Sequence, residues 1–147
     1  MKEELLNELK EAMKNKDQLR KNTITLLRSA ILQVEKDEQK TLTEDEMITI
    51  VAREVKKRKE SIADYQKADR MDLVEDLNKE IEILSKYLPA QLSKEEIEAL
   101  VEETIKEVGA TSQKDMGKVM QSLRPKTNGK ADGKLVSEIV KEKLANI

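Results

Sequence analysis

No glycine and no proline occurs in the first 88 residues of this 147-residue chain. Strand hairpins depend on turn residues that tolerate unusual backbone angles, and this stretch has none of that turn chemistry. Its dominant residues are Leu, Glu, Lys, Met, Ala and Gln, which are good helix formers. The chain therefore reads as helices joined by short polar breaks. All four glycines (Gly109, Gly117, Gly129 and Gly133) lie in the last 39 positions, and the two prolines are Pro89 and Pro125.

The apolar spacing agrees. Leu5, Leu9 and Met13 recur every fourth residue, with Leu6 beside them. Leu19, Leu26, Leu27, Ile31 and Val34 mark a second helix, with Asp17 as its N-cap. Thr43 and Glu46 form a capping box before a third, which carries Met47, Ile50, Val51, Val55 and Ile62. After a break at Ala68–Asp69–Arg70, the stripe Leu73, Leu77, Ile81, Leu84 and Leu88 predicts a fourth helix, ended by Pro89. Ser93 and Glu96 box the start of a fifth, and Gly109 is its C-terminal cap. Ser112 and Asp115 open a sixth, through Met116, Val119, Met120 and Leu123, which Pro125 is expected to stop. Asp132 caps a seventh, with Leu135, Val136, Ile139, Val140 and Leu144.

This pattern predicts an all-α protein with a bend between Leu88 and Ser93. An N-terminal four-helix domain over 1–91 is followed by a small three-helix tail domain over 92–147. The tail is near the lower size limit for independent folding.

Composition excludes several chemistries. There is no His, so the commonest general base at neutral pH is missing. There is no Cys, hence no disulfide, zinc–thiolate site or thiol nucleophile. The seven serines lack a Gly-flanked elbow, and no Walker A or Gly-rich dinucleotide loop occurs. No catalytic residue, metal site or cofactor is expected. Tyr65 and Tyr87 are the only aromatics, too few for a platform that stacks bases. They read as packers at the core edge. With no membrane span and no apolar leader at the start, a cytoplasmic location is the expectation.

Two segments stand out by charge. Arg53 and the run Lys56-Lys57-Arg58-Lys59 wrap more than one helical turn and are flanked by Glu54 and Glu60, as a solvated surface is. The other is 111–134, with six basic and two acidic residues, a local +4 in a chain of net −2. Lys118, Arg124, Lys126, Lys130 and Lys134 are its candidate phosphate contacts, beside Gly129, Asp132 and Gly133, where backbone N–H groups can receive an anion. An ordinary helix–helix connection explains the same residues equally well: Gly129 supplies a positive φ, Gly133 a first-turn position and Asp132 a cap. Gly117 within a helix costs about 1 kcal/mol relative to Ala, and reads either as close helix packing or as backbone approach by a ligand.

Two stretches, KKRKESIADYQKADRMDLVEDLNKEIEILSKYLPAQLS and DMGKVMQSLRPKTNGKADGKLVSEIV, resemble the YqeY-like family, with GKADG the most specific part. LTEDE and TITLLRSAI also fit, so the resemblance covers essentially the whole chain. This family is similar to the C-terminal helical and tail domains of the B subunit of tRNA-dependent Asp/Glu-tRNA amidotransferase. The resemblance implies a four-helix domain, a three-helix tail and tRNA as a partner through the tail. The catalytic half of that protein has no counterpart here. Three functions follow as expectations. The first is a tRNA-associated adaptor without an autonomous active site. The second is an accessory component of a C–N ligase that uses glutamine as amide donor. The third is a helical module that docks a protein partner through the tail.

Overall fold

The computed structural model describes residues 1–147 and is all-helical, with no strand. Its seven α-helices are α1 (Lys2–Lys14), α2 (Gln18–Glu38), α3 (Glu44–Lys67), α4 (Met71–Ser85), α5 (Lys94–Val108), α6 (Met116–Thr127) and α7 (Gly133–Ala145). A 3₁₀ turn, Gln113–Asp115, leads into α6. The chain divides into two compact units, Met1–Leu88 and Pro89–Ile147.

Local chemistry sets the helix ends. Asp17 accepts a hydrogen bond from the Arg20 N–H and starts α2. Thr43–Glu46 and Ser93–Glu96 form reciprocal capping boxes at α3 and α5. Each satisfies two backbone donors that the first helical turn leaves without partners. Gly109 ends α5 at φ +67°, a left-handed conformation that a Cβ would strain. Asp69 takes φ +57° in the break between α3 and α4, a role Asp tolerates better than most residues.

In the N-terminal unit α1 packs on α2, α2 on α3 and α4, and α3 on α4. Leu5, Ile24, Leu27, Ile31, Val51 and Leu84 lie at its centre with almost no exposed surface. Each such side chain contributes about 1.5–3 kcal/mol by leaving water. The C-terminal unit has its own core, formed where α5 packs on α6 and α7. Ile97, Val101, Val119, Leu123, Val136 and Val140 fill it.

Four expectations from spacing are corrected. The buried face of α4 is Val74, Ile83 and Leu84, joined by Tyr87 beyond the helix end, while Leu73, Leu77 and Ile81 are only half-buried. α4 stops at Ser85, before Pro89, and continues as turns from Tyr87 N–H to Leu84 O and from Leu88 N–H to Ser85 O. Leu26 faces solvent, and Thr23 takes a core position instead because its hydroxyl donates to Leu19 O at 2.8 Å. Pro125 does not stop α6 but lies inside its last turn. Its missing N–H removes one bond of the helical ladder, and the turn still closes through Asn128 N–H to Arg124 O at 3.0 Å.

Glu8 ties α1 to two other segments. One carboxylate oxygen accepts from Arg20 at 2.8 Å and the other from Lys86 at 2.9 Å. The Lys86 bond is the main reason its pKa lies below 4.5. Tyr87 lies beside it. Burial first, then the charges of Glu8 and Glu4, push the phenol up from 10.0 to about 12. The folded chain thus keeps a proton that the unfolded chain releases above pH 10. Stability from this group is complete below pH 10 and is expected to fall as the pH rises toward 12. Urea midpoints, read alongside phenolate absorbance, test this; a midpoint indifferent to pH across that window contradicts it.

Candidate nucleic-acid interface

The cationic segment 111–134 runs from within the α5–α6 connection to the start of α7. Asp115 fixes its beginning: the carboxylate accepts from the backbone N–H of Thr111 at 2.9 Å and of Ser112 at 3.4 Å. The Thr111 bond is the main reason its pKa is lowered, and Lys118 adds to the effect. In α6, Val119, Leu123 and Thr127 face the core. At about 100° per residue, that leaves Gly117, Lys118, Gln121, Arg124 and Pro125 on the opposite face, and all five are exposed. Lys118 and Arg124 stand about 120° apart around the helix axis.

Lys126 does not share that face. Its Nζ pairs with Glu107 Oε2 at 2.9 Å and donates to Thr104 Oγ1 at 3.3 Å, which holds the side chain against α5. The cation is already neutralised within the chain. Lys130 is half-buried in the loop, and Lys134 is exposed in the first turn of α7. The exposed cations of the candidate set are therefore Lys118, Arg124 and Lys134.

The loop between α6 and α7 is built to one shape. Gly129 is buried at φ +72°, where a side chain would meet backbone strain. Its carbonyl accepts from Gln91 Nε2 at 2.7 Å, and the Lys130 carbonyl accepts from the Leu92 N–H at 2.8 Å. The Lys130 N–H donates to Thr127 O at 2.9 Å. Asp132 then caps α7 by accepting from the Lys134 N–H at 3.1 Å. Sequence spacing does not reveal the role of Gln91, because its partner lies 38 residues away.

Gly133 is the first residue of α7, as expected, and its surroundings are open. Gly117 is exposed, and a Cβ there would meet nothing within 4 Å. Close helix packing therefore does not explain this glycine.

The basic run of α3 splits. The Arg58 side chain is only 11% exposed and bonds to Glu54 Oε2 at 3.1 Å, Glu54 O at 3.0 Å and Glu80 Oε1 at 3.4 Å. Lys57 lies 3.7 Å from Glu54. Lys59 stays exposed. Arg58 thus joins α3 to α4 and is not a surface cation.

The sequence matches the Yqey-like protein family over residues 2–144. It is 42% identical over 100 residues to "Altered inheritance of mitochondria protein 41, mitochondrial" of Kluyveromyces lactis, covering 66% of this chain and 54% of that protein. The protein of the same name in Pyrenophora tritici-repentis is 27% identical over 141 residues, covering 92% of this chain and 76% of that protein. A shorter match, 45% identical over 60 residues, is to the E subunit of glutamyl-tRNA(Gln) amidotransferase from Methanocaldococcus jannaschii, covering 38% of this chain and 10% of that protein. The chain spans little more than half the length of the first two fungal relatives.

The expectation of a cytoplasmic location is overturned by these relatives, four of which are named as mitochondrial proteins. No helix is long and apolar enough to cross a membrane. That property does not distinguish one aqueous compartment from another, so it could not sustain the expectation. The match across nearly every residue, together with the tail segment GKADG and the helices that hold it, establishes that this chain belongs to the YqeY-like family.

Proposed function

We propose that this chain is a tRNA-associated adaptor related to the amidotransferase tail, with no active site of its own. Its two compact units then correspond to the four-helix domain and three-helix tail that the resemblance implies. The stretch shared with the archaeal glutamyl-tRNA(Gln) amidotransferase protein is the observation that supports this reading most. The exposed cations Lys118, Arg124 and Lys134 supply the contacts. They suit recognition of phosphate backbone and shape, which needs no aromatic platform. Gly117, open to solvent in the first turn of α6 beside Lys118, leaves room for a ribose or phosphate to approach the main chain.

The test is a fluorescence-anisotropy titration of mixed tRNA at several ionic strengths. Neutralising about three phosphates gives a log–log salt slope of about −2 to −3. Replacing Lys118, Arg124 and Lys134 together with Ala is expected to flatten that slope by about 2 and leave the melting temperature nearly unchanged. Lys126→Ala is expected to change binding little and to cost about 0.5 kcal/mol through its lost ion pair. If the wild type shows no salt-dependent binding at low ionic strength, the tRNA reading fails and the protein-docking reading replaces it. Glutamine-dependent amidation of charged tRNA that rises when this chain is added would favour the accessory-component reading instead.

A further inference from the structure

The α1–α2 face of the N-terminal unit carries an open groove of about 210 Å³ over Leu5, Leu6, Ile31 and Leu32. Leu6 is 38% exposed and Leu32 55%. Met13, 50% exposed, lies seven residues after Leu6 and so on the same side of α1. This is an apolar seam on a small chain rich in charge. Its rim holds three ionic groups. Lys2 is already spent, donating to both carboxylate oxygens of Glu35 at 2.8 and 2.7 Å. Glu3 and Arg28 line the same groove, and neither has an ion-pair or hydrogen-bond partner in the chain.

We infer that this face is a two-fold interface with a second copy of the chain. A patch that carries one unpaired anion and one unpaired cation beside exposed leucines is complementary to itself. In a two-fold pairing, residue i meets j and j meets i. Glu3 of each copy then meets Arg28 of the other, while Leu6 and Leu32 cover their counterparts. An acidic or a basic partner fits less well, because it sets its charge against either Glu3 or Arg28. The length of α1 limits the face to about 20 Å, and two helices side by side are about 20 Å wide, which gives about 400 Å² per copy. Such an interface, about 800 Å² in total, falls below the range of stable complexes and among transient contacts, so the dimer is weak and reversible, with a dissociation constant of about 10–1000 μM.

Sedimentation equilibrium of the full chain, from low micromolar to about millimolar concentration, reads this directly. A reversible monomer–dimer equilibrium is expected. Leu32→Glu is expected to weaken it at least about tenfold, and Glu3→Arg or Arg28→Glu by about five- to tenfold each. The paired exchange Glu3→Arg with Arg28→Glu is expected to return the dissociation constant to within about threefold of wild type. Melting curves at low concentration, where all forms are monomeric, confirm that the variants fold; Glu3 and Leu32 are exposed and Arg28 is half-buried. A wild type that stays monomeric throughout overturns the inference. So does a dimer indifferent to Leu32→Glu, or a paired exchange no better than its single components. A monomer whose groove binds an added amphipathic helical peptide would also overturn it.

Discussion

Leu123→Ala is expected to unfold the C-terminal unit at temperatures where the wild type is intact. Leu123 is completely buried between α6 and the other helices of that unit. Truncating a buried leucine loses its transfer free energy and leaves a cavity, at a cost of about 2–5 kcal/mol. A unit of this length, Pro89–Ile147, holds only about 3–9 kcal/mol in total. At the middle of both ranges the loss consumes about half of it. Amide exchange should show α5, α6 and α7 losing protection while the α1–α4 core, with its own buried residues, keeps it. Leu26→Ala is the control, since that side chain is 57% exposed; it should change stability by less than about 0.5 kcal/mol. Uniform loss of protection across all seven helices would contradict the expectation.

Arg58→Ala is expected to cost about 2 kcal/mol, whereas Lys59→Ala, one position along the same run, should cost less than about 0.5 kcal/mol. The guanidinium bridges Glu54 and Glu80, both 18% exposed, and also bonds a backbone carbonyl. Removing it leaves the sheltered Glu80 carboxylate without this cation and Glu54 with only Lys57, 3.7 Å away, and their desolvation is the source of the cost. Urea denaturation of the two single variants measures the difference. A double-mutant cycle with Glu80→Ala should return a coupling of about 1 kcal/mol, and a coupling near zero would reduce the α3–α4 bridge to an exposed pair.

The contrast between those two residues shows what the sequence made legible. Caps and breaks were readable because their partners lie within three or four positions: Asp17, Thr43 with Glu46, Ser93 with Glu96, Gly109 and Asp132 all act as their chemistry prescribes. Helix content followed from the long stretch without glycine or proline. Side-chain assignments became unreadable once the partner was remote. Arg58 finds Glu80 22 residues away, and Lys126 finds Glu107 19 residues away. Periodicity also gives a helix's apolar stripe without fixing which edge of it meets the neighbours. Hence Val74 and Ile83 are buried on α4 while Leu73 and Leu77 are half-exposed. The proline rule failed at Pro125 because the helix closes past it, through Asn128 N–H to Arg124 O, despite the ladder bond that the proline removes.

The two hydrogen bonds from Gln91 and Leu92 onto Gly129 and Lys130 bear on how the tail is to be dissected. They close a covalent span of nearly forty residues into a ring, so the entropy of the α5–α6 stretch is restricted at both ends rather than at one. A fragment begun at Ser93, where the helix starts, opens that ring and strips two carbonyls of their donors. A fragment begun at Pro89 keeps it shut. Four residues that form no helix thus decide whether an excised tail reproduces the loop of the intact protein, and a binding assay on the shorter piece would report on a different object.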